Sequence, residues 1–400
     1  MTMSGLHRTH ALSWAFLLGC SGLAPLAASA HDMKMDMGSG SALGASAAFD
    51  AHGRLWLVSA RGEHVVLQHA ADPGTPLGTP VVVNAKPEAV YATGENRPKI
   101  VFGPAGEVYV QWTEKPAAGW VGDVRFARSS DGGKTFAAPT TVNHDTALAT
   151  RGFDSLAVAG NGDVVSAWID GRDSVAAKAA GKPYAGFALY YTRSTDGGRS
   201  FAPERKLMDH SCECCRTTLA QLPDGGIATF FRGIYGENIR DHAYAVLPAG
   251  SHPAHTQRAT FNQWQVAACP DHGPGLAIDA HGVRHAVWYE AKGGPTIWYG
   301  QLDPGHVPKH LLRIGGPGAS HADVAVHGNT VWLAWNQVDP QGYALMLRRS
   351  DDGGVHFAAP RNIATSTRAA GSPQLLLRGA HAYAAWNTAD GFRLIDTEAH

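Results

Sequence analysis

The sequence predicts an all-β protein: a single β-propeller of four-stranded blades, with seven blades favoured and six as the alternative. Three observations lead there. A turn glycine followed six or seven residues later by a large aromatic recurs along the chain, the strands around it alternate with a period of two, and the composition suits short strands and tight turns. Glycine occupies 47 of 400 positions, above the usual ~7%, and charged residues make up 17%, below the usual ~25%.

In chain order the repeat reads Gly106 to Trp112, Gly162 to Trp168, Gly225 to Phe231, Gly282 to Trp288, Gly328 to Trp335 and Gly379 to Trp386. A seventh unit precedes them, running from Ala47 through Gly53 to Val58, with Trp56 at the place of Tyr109. The step between anchors, roughly fifty to sixty residues, suits one blade. Within a unit, Val108, Val110 and Trp112 fall on one face and Glu107, Tyr109 and Gln111 on the other, which is a strand pattern and not a helical one. Only Val175 to Ala180 reads as helical, one or two turns inside an insertion that ends at Gly181-Lys182-Pro183. The segment from Gly371 to Thr397 is expected to form a three-strand unit beside the first blade, closing a toroid without free edges.

Ahead of the repeats lies an address. His7, Arg8 and His10 precede an apolar run from Ala11 to Leu18 and a small-residue stretch ending Ala28-Ser29-Ala30, as in a secretory signal peptide. Cleavage there leaves His31 first, for a periplasmic or secreted protein. The alternative is a lipoprotein, with Leu17-Leu18-Gly19-Cys20 as processing site and a lipid anchor on Cys20. No other segment approaches the ~18 apolar residues of a membrane helix. The expected division is therefore 1–30 signal peptide, 31–43 a flexible segment rich in Met and His, and 44–400 propeller. Lys plus Arg number 33 against 34 Asp plus Glu, so no basic field points to nucleic acid.

Three units also carry Ser-x-Asp-x-Gly-x-x-Phe: Ser129 to Phe136, Ser194 to Phe201 and Ser350 to Phe357. The carboxylate can accept hydrogen bonds from turn amides, glycine supplies positive φ, and the Phe returns the chain to the core. These turns resemble the Asp box (BNR repeat) of sialidases and their non-sialidase relatives, over roughly residues 44 to 397. The resemblance implies a sialidase-like propeller in which the box is structural and lies away from the active site. A second likeness is to an exported subgroup of such propellers marked by Cys-x-Cys-Cys, a following Ile-Arg-Asp and a later Trp-x-x-x-x-Cys-Pro-x-x-Gly-Pro. Here these are Cys212 to Cys215, Arg232 on the following strand, Ile239-Arg240-Asp241, and Trp264 through Cys269-Pro270 to Gly273-Pro274. It implies a shared site in blades four and five without naming its chemistry.

In a propeller, residues just before each innermost strand meet at one mouth of the channel, together with the loops between second and third strands. The first set is Arg97, Arg151 and Asp154, Cys212 to Arg216, Cys269 to His272, and His321 with Asp323. The loops add Asp170 to Asp173, Arg232, Glu237, Arg240-Asp241, Tyr289-Glu290 and Asn336.

Four of the five cysteines lie in this set. In an exported protein, two disulfides are the ordinary reading. Cys214 and Cys215 are sequence neighbours, so each is expected to find another partner, with Cys212 and Cys269 available. The other reading is a soft metal held by thiolates, copper as Cu(I), with Cys212, Cys214, Cys215, Cys269, His272 and His321 as candidate ligands. A separate candidate is the start of the mature chain, where His31 leads into Met33, Met35 and Met37. Histidines in turns, such as His52, His281 and His327, read as structural.

A sialidase needs three arginines on the substrate carboxylate, a Tyr nucleophile assisted by Glu, and an acid/base Asp. Tyr289, Glu290, Arg97, Arg151, Arg172, Arg232, Arg240 and Asp170 supply these types. The chain has Arg97-Pro98-Lys99-Ile100 where sialidases have Arg-Ile-Pro, and adjacent Tyr289 and Glu290 on one strand point oppositely. The expectation is a binding protein rather than an enzyme, with a protein partner or an anionic small ligand at the mouth. A glycoside hydrolase and a metal-free, disulfide-stapled platform are the alternatives.

Overall fold

Each repeat unit folds into its own antiparallel sheet in the computed structural model, which describes residues 43–115, 121–250 and 252–399. There are seven sheets in chain order, so the architecture is a seven-bladed, all-β propeller. Five are four-stranded meanders in sequence order, and the last, Gln374–Arg378, His381–Thr388 and Gly391–Asp396, has three strands. That three-stranded blade packs against the first: Ala385 shares a core with Ala45, Ala47, Leu55 and Leu57. Asn387 Nδ2 donates to the Ala45 carbonyl at 2.7 Å.

Blade two departs from the pattern. Its second strand, Val108–Glu114, pairs with Lys99–Phe102 along most of its length and with Val90–Tyr91 at its end. The innermost strand is therefore split, and residues 92–98 leave it as a loop. The helix in blade three spans Arg172–Ala179, starting earlier than the apolar residues suggest, because Gly171 caps it immediately after the second strand ends at Asp170.

The anchor aromatics hold the blades together. Trp56, Trp112, Trp168, Phe231, Trp288, Trp335 and Trp386 are all at most 2% exposed and fill the layers between sheets. In the Asp boxes, Asp196 Oδ1 accepts from the amides of Arg199 at 2.9 Å and Ser200 at 3.0 Å, while Ser194 Oγ accepts from the Gly198 amide at 2.9 Å. Asp131 and Asp352 repeat the arrangement. Gly198 (φ +75°) also lies where a Cβ would come within 2.7 Å of the Phe126 ring, so the box needs glycine for contact as well as for conformation.

The channel differs at its two ends. At the end carrying the turns between first and second strands, the innermost strands line a cavity of about 390 Å³ with apolar side chains, among them Phe49, Ala220, Ile278, Val326 and Leu377. The opposite end carries the polar residues.

Candidate functional site

The innermost strands begin irregularly at that opposite end. Register shifts interrupt pairing between Gly152 and Ser155 and between Ser320 and Asp323, and Phe153, Asp271 and His321 have φ near +50°. Non-glycine residues adopt this conformation only when their surroundings enforce it, and bulges of this kind re-aim side chains. Here they turn polar groups inward.

Glu95, on the loop that splits the inner strand of blade two, is the hub. Its Oε1 accepts from Arg216 Nη1 at 2.6 Å, Ser372 Oγ at 2.6 Å and His321 Nδ1 at 2.9 Å, and its Oε2 from the Gly273 amide at 3.2 Å. Arg216, Ser372 and Gly273 precede the inner strands of blades four, seven and five, and His321 lies near the start of the inner strand of blade six, Ala319–His327. A Cβ on Gly273 would sit 2.8 Å from Glu95 Oε2 and closer still to Arg216, so only glycine permits this approach. Burial alone would raise the Glu95 carboxyl, but Arg216 and His321 hold it well below the usual range. Around it, Arg97 Nη1 donates to the Ser372 carbonyl at 2.7 Å, and Arg216 Nη2 to the Ala322 carbonyl at 2.9 Å. Desolvation pushes Lys99 down to about 8 and raises Asp323. Asp271 is pushed up to about 8 by burial, then by the neighbouring negative charge of Glu95.

Beside the hub, the rings of His272 and His321 stack at 4.3 Å, and His272 stacks on Tyr289 at 4.0 Å. Burial, then the neighbouring His321, pushes His272 down to about 3, so its ring is neutral. Arg232, 1% exposed, lies beneath, donating to the carbonyls of Arg240, His272 and Tyr289.

The cysteines adjoin this layer. Cys214 and Cys269 form a disulfide that ties the segment entering blade four to the segment entering blade five. Cys212 and Cys215 are free thiols, each 1% exposed, with sulfurs 2.8 Å apart. Burial favours the neutral thiol, but the hydrogen bond from Cys215 and the charge of Arg232 bring Cys212 below its ordinary value. Cys215 is raised well above it, by burial and by its neighbour Cys212. The Sγ atoms of Cys212, Cys214 and Cys215 all lie within 4.8 Å of one another, the one grouping of three such donors among the described residues.

The bond between Cys214 and Cys269 occupies two of the four candidate sulfurs, so only the reduced protein offers all four. Of the two candidate histidines, His321 bonds Glu95, and His272 Nδ1 meets the Pro270 carbonyl. The arginines do not converge on one open point. Arg151 is held by Asp170, Asp145 and Asp123, and Arg172 by Asp170 and Glu204, in a network of their own. Arg240 pairs with Glu213 at 2.9 Å, and Arg97 belongs to the hub. Tyr289 faces His272 and Trp264, whereas Glu290 accepts from Trp298 Nε1 at 2.8 Å on the other side of the strand. Cys20, His31, Met33, Met35 and Met37, with the rest of residues 1–42, lie outside the described residues.

Glu95 was not among the sequence candidates. The signal was present in the break between Val90-Tyr91 and Ile100 to Phe102, two apolar stretches too short to be separate strands.

No family model matches the chain, and no curated protein matches it. Solved structures do. A polysaccharide lyase of family PL25, an ulvan lyase bound to a GlcA–Rha3S glycan, superposes with a TM-score of 0.56 at 10% identity, covering 88% of this chain and 91% of that one. The GH93 α-L-arabinofuranosidase of Fusarium graminearum gives 0.51 at 13%, covering 74% and 88%. A Hadza microbial sialidase gives 0.50 at 12%, covering 87% and 74%. At such identities the likeness establishes the fold, a sialidase-like propeller, and leaves the chemistry to this chain's own residues.

Proposed function

We propose that this protein is an exported, periplasmic or cell-surface propeller that binds a soft metal ion, copper(I) foremost, at the cysteine cluster of its channel mouth. The carrying observation is the grouping of the Cys212, Cys214 and Cys215 sulfurs within 4.8 Å. Thiolates select Cu(I), and buried Arg232 offsets the negative charge that two thiolates would place there. Sulfurs sharing one tetrahedral ion at metal–sulfur bonds of about 2.3 Å stand about 3.8 Å apart. The 4.0 Å between Cys212 and Cys214 matches that spacing, and the 2.8 Å between Cys212 and Cys215 must widen on loading. The disulfide accords with an oxidising compartment. The leader 1–30, or a lipid anchor at Cys20, supplies export, and His31 with Met33, Met35 and Met37 forms a second, separate copper site.

The test is a Cu(I) titration under a competing chelator, on reduced protein lacking residues 31–40. Wild type is expected to bind at least about tenfold more tightly than Cys212→Ser/Cys215→Ser. Equal affinity rejects the site and leaves a disulfide-stapled platform for a protein or anionic ligand.

One observation favours a second reading, a sialidase-type glycosidase. Asp271, raised to about 8 by burial and by Glu95, carries a proton at neutral pH at the channel mouth, as a general acid requires. Hydrolysis of an aryl sialoside that disappears in Asp271→Asn supports it, and no turnover by wild type rejects it.

A further inference from the structure

We propose that the four cysteines form an internal thiol–disulfide exchange relay, which moves one disulfide between an exposed pair and a buried pair. This goes beyond metal binding and does not require it. Cys269 is exposed at the surface and Cys214 half-buried, and the two are bonded. Directly behind them lie the free thiols of Cys212 and Cys215. Cys212 Sγ stands 4.0 Å from Cys214 Sγ and 2.8 Å from Cys215 Sγ. One sulfur is thus in contact both with a disulfide it can attack and with a thiol that can resolve the product.

Two exchanges follow. Cys212, as thiolate, attacks Cys214 Sγ; the bond between Cys212 and Cys214 forms, the bond to Cys269 breaks, and the electron pair leaves on Cys269 Sγ, which takes the proton that Cys212 gave up. Cys215, as thiolate, then attacks Cys212 Sγ; a bond between Cys212 and Cys215 forms and Cys214 departs with the electron pair and the remaining proton. One disulfide and two thiols stand on each side, so no outside oxidant or reductant enters. The disulfide ends buried and the dithiol, Cys214 and Cys269, ends at the surface, open to exchange with an external disulfide.

The scaffold suits a reversible transfer. Cys212 and Cys215 have the Cys-x-x-Cys spacing, which closes a small ring without the strain that bonding the neighbours Cys214 and Cys215 would impose. The segment leading to Cys269 is also held by bonds outside the disulfide. Arg240 Nε donates to the Val266 carbonyl at 3.2 Å, the Arg240 amide to the Trp264 carbonyl at 2.8 Å, and Ile239 bridges to Gln265. Cys269, once released, stays near Cys214.

The experiment is timed alkylation of native, unreduced protein by iodoacetamide in excess chelator, followed by acid quench, unreduced digestion and mass mapping. Matching near-ultraviolet circular dichroism first establishes that each variant is folded. Wild type is expected to accumulate label on Cys214 and Cys269 together with a disulfide between Cys212 and Cys215. Cys215→Ser is expected to label Cys269 while Cys214 stays bonded to Cys212. Cys212→Ala is expected to label Cys269 at least about tenfold more slowly than wild type. Equal Cys269 labelling in wild type and Cys212→Ala overturns the relay, as does a wild type that keeps only the original disulfide throughout. Because metal is excluded, either result leaves the copper titration to be judged separately.

Discussion

Glu95 ties four blades through two oxygens, so its replacement is the most informative single change at the mouth. Glu95→Gln keeps the shape but leaves the buried Arg216 without its counter-charge and puts an amide opposite His321. Breaking a buried pair in this way is expected to cost about 3 kcal/mol or more, read from denaturant unfolding; a loss under about 1 kcal/mol would mean the hub is not structural. Asp196→Ala tests the opposite kind of residue. It removes the acceptor of two turn amides and two hydroxyls, and is expected to cost about 1 to 2 kcal/mol because the carboxylate is partly solvated. Binding at the mouth should be unchanged, since the box lies at the other end of its strand. Unaltered stability with lost binding would contradict that assignment. The Asp-box residues were legible because their chemistry is local, complete within eight consecutive residues. Glu95 was not, because all its partners lie more than a hundred residues away.

Turns and strand starts carry a further set of constraints. The turns of blades three and four touch through backbone alone: the Gly160 amide donates to the Gly225 carbonyl at 2.8 Å, and a Cβ on Gly160 would lie 2.7 Å from the Gly225 Cα. Backbone cannot swing aside as a side chain can. Gly160→Ala is therefore expected to lower stability by about 1 to 3 kcal/mol, measured by thermal or chemical unfolding, with no change in metal binding at the distant mouth. Strands and their periods were readable throughout, as was the short helix to within a few residues. The bulges at Phe153 and His321 were not, since they depend on which residues of neighbouring blades need an inward-facing partner.

Over the whole molecule, two carboxylates pull the pH dependence of stability in opposite directions. Glu204 accepts from the amides of His144 and Asp145 and from Arg172; these outweigh burial and lower it from 4.5 to about 2. Its contribution is fully present above pH 4.5 and lost as the pH falls toward 2. Asp271 moves the other way, from 3.8 to about 8, so burying its charge weakens the fold progressively as the pH rises through that interval. Glu204→Gln should thus be less stable than wild type at pH 7 by about 1 to 3 kcal/mol and nearly equal to it at pH 2. Asp271→Asn should match wild type at pH 3 and exceed it at pH 9. Melting temperatures across that range check both, and parallel curves for variant and wild type would refute the assignments.

The sequence by itself determined the all-β class, favoured seven blades over six, located the Asp-box turns and brought the two cysteine segments to one end of the channel. Each follows from a local period or from the rule that corresponding positions of successive blades share one end of the channel. Tertiary structure alone decided that Cys214 bonds Cys269 while Cys212 faces Cys215, that the candidate arginines are held in separate ion pairs, and that a carboxylate from blade two closes the mouth. Those outcomes turn on distances of a few ångströms between segments far apart in the chain. Spacing along a strand fixes which end of the channel a side chain reaches, but which neighbour it meets there is set by packing between blades.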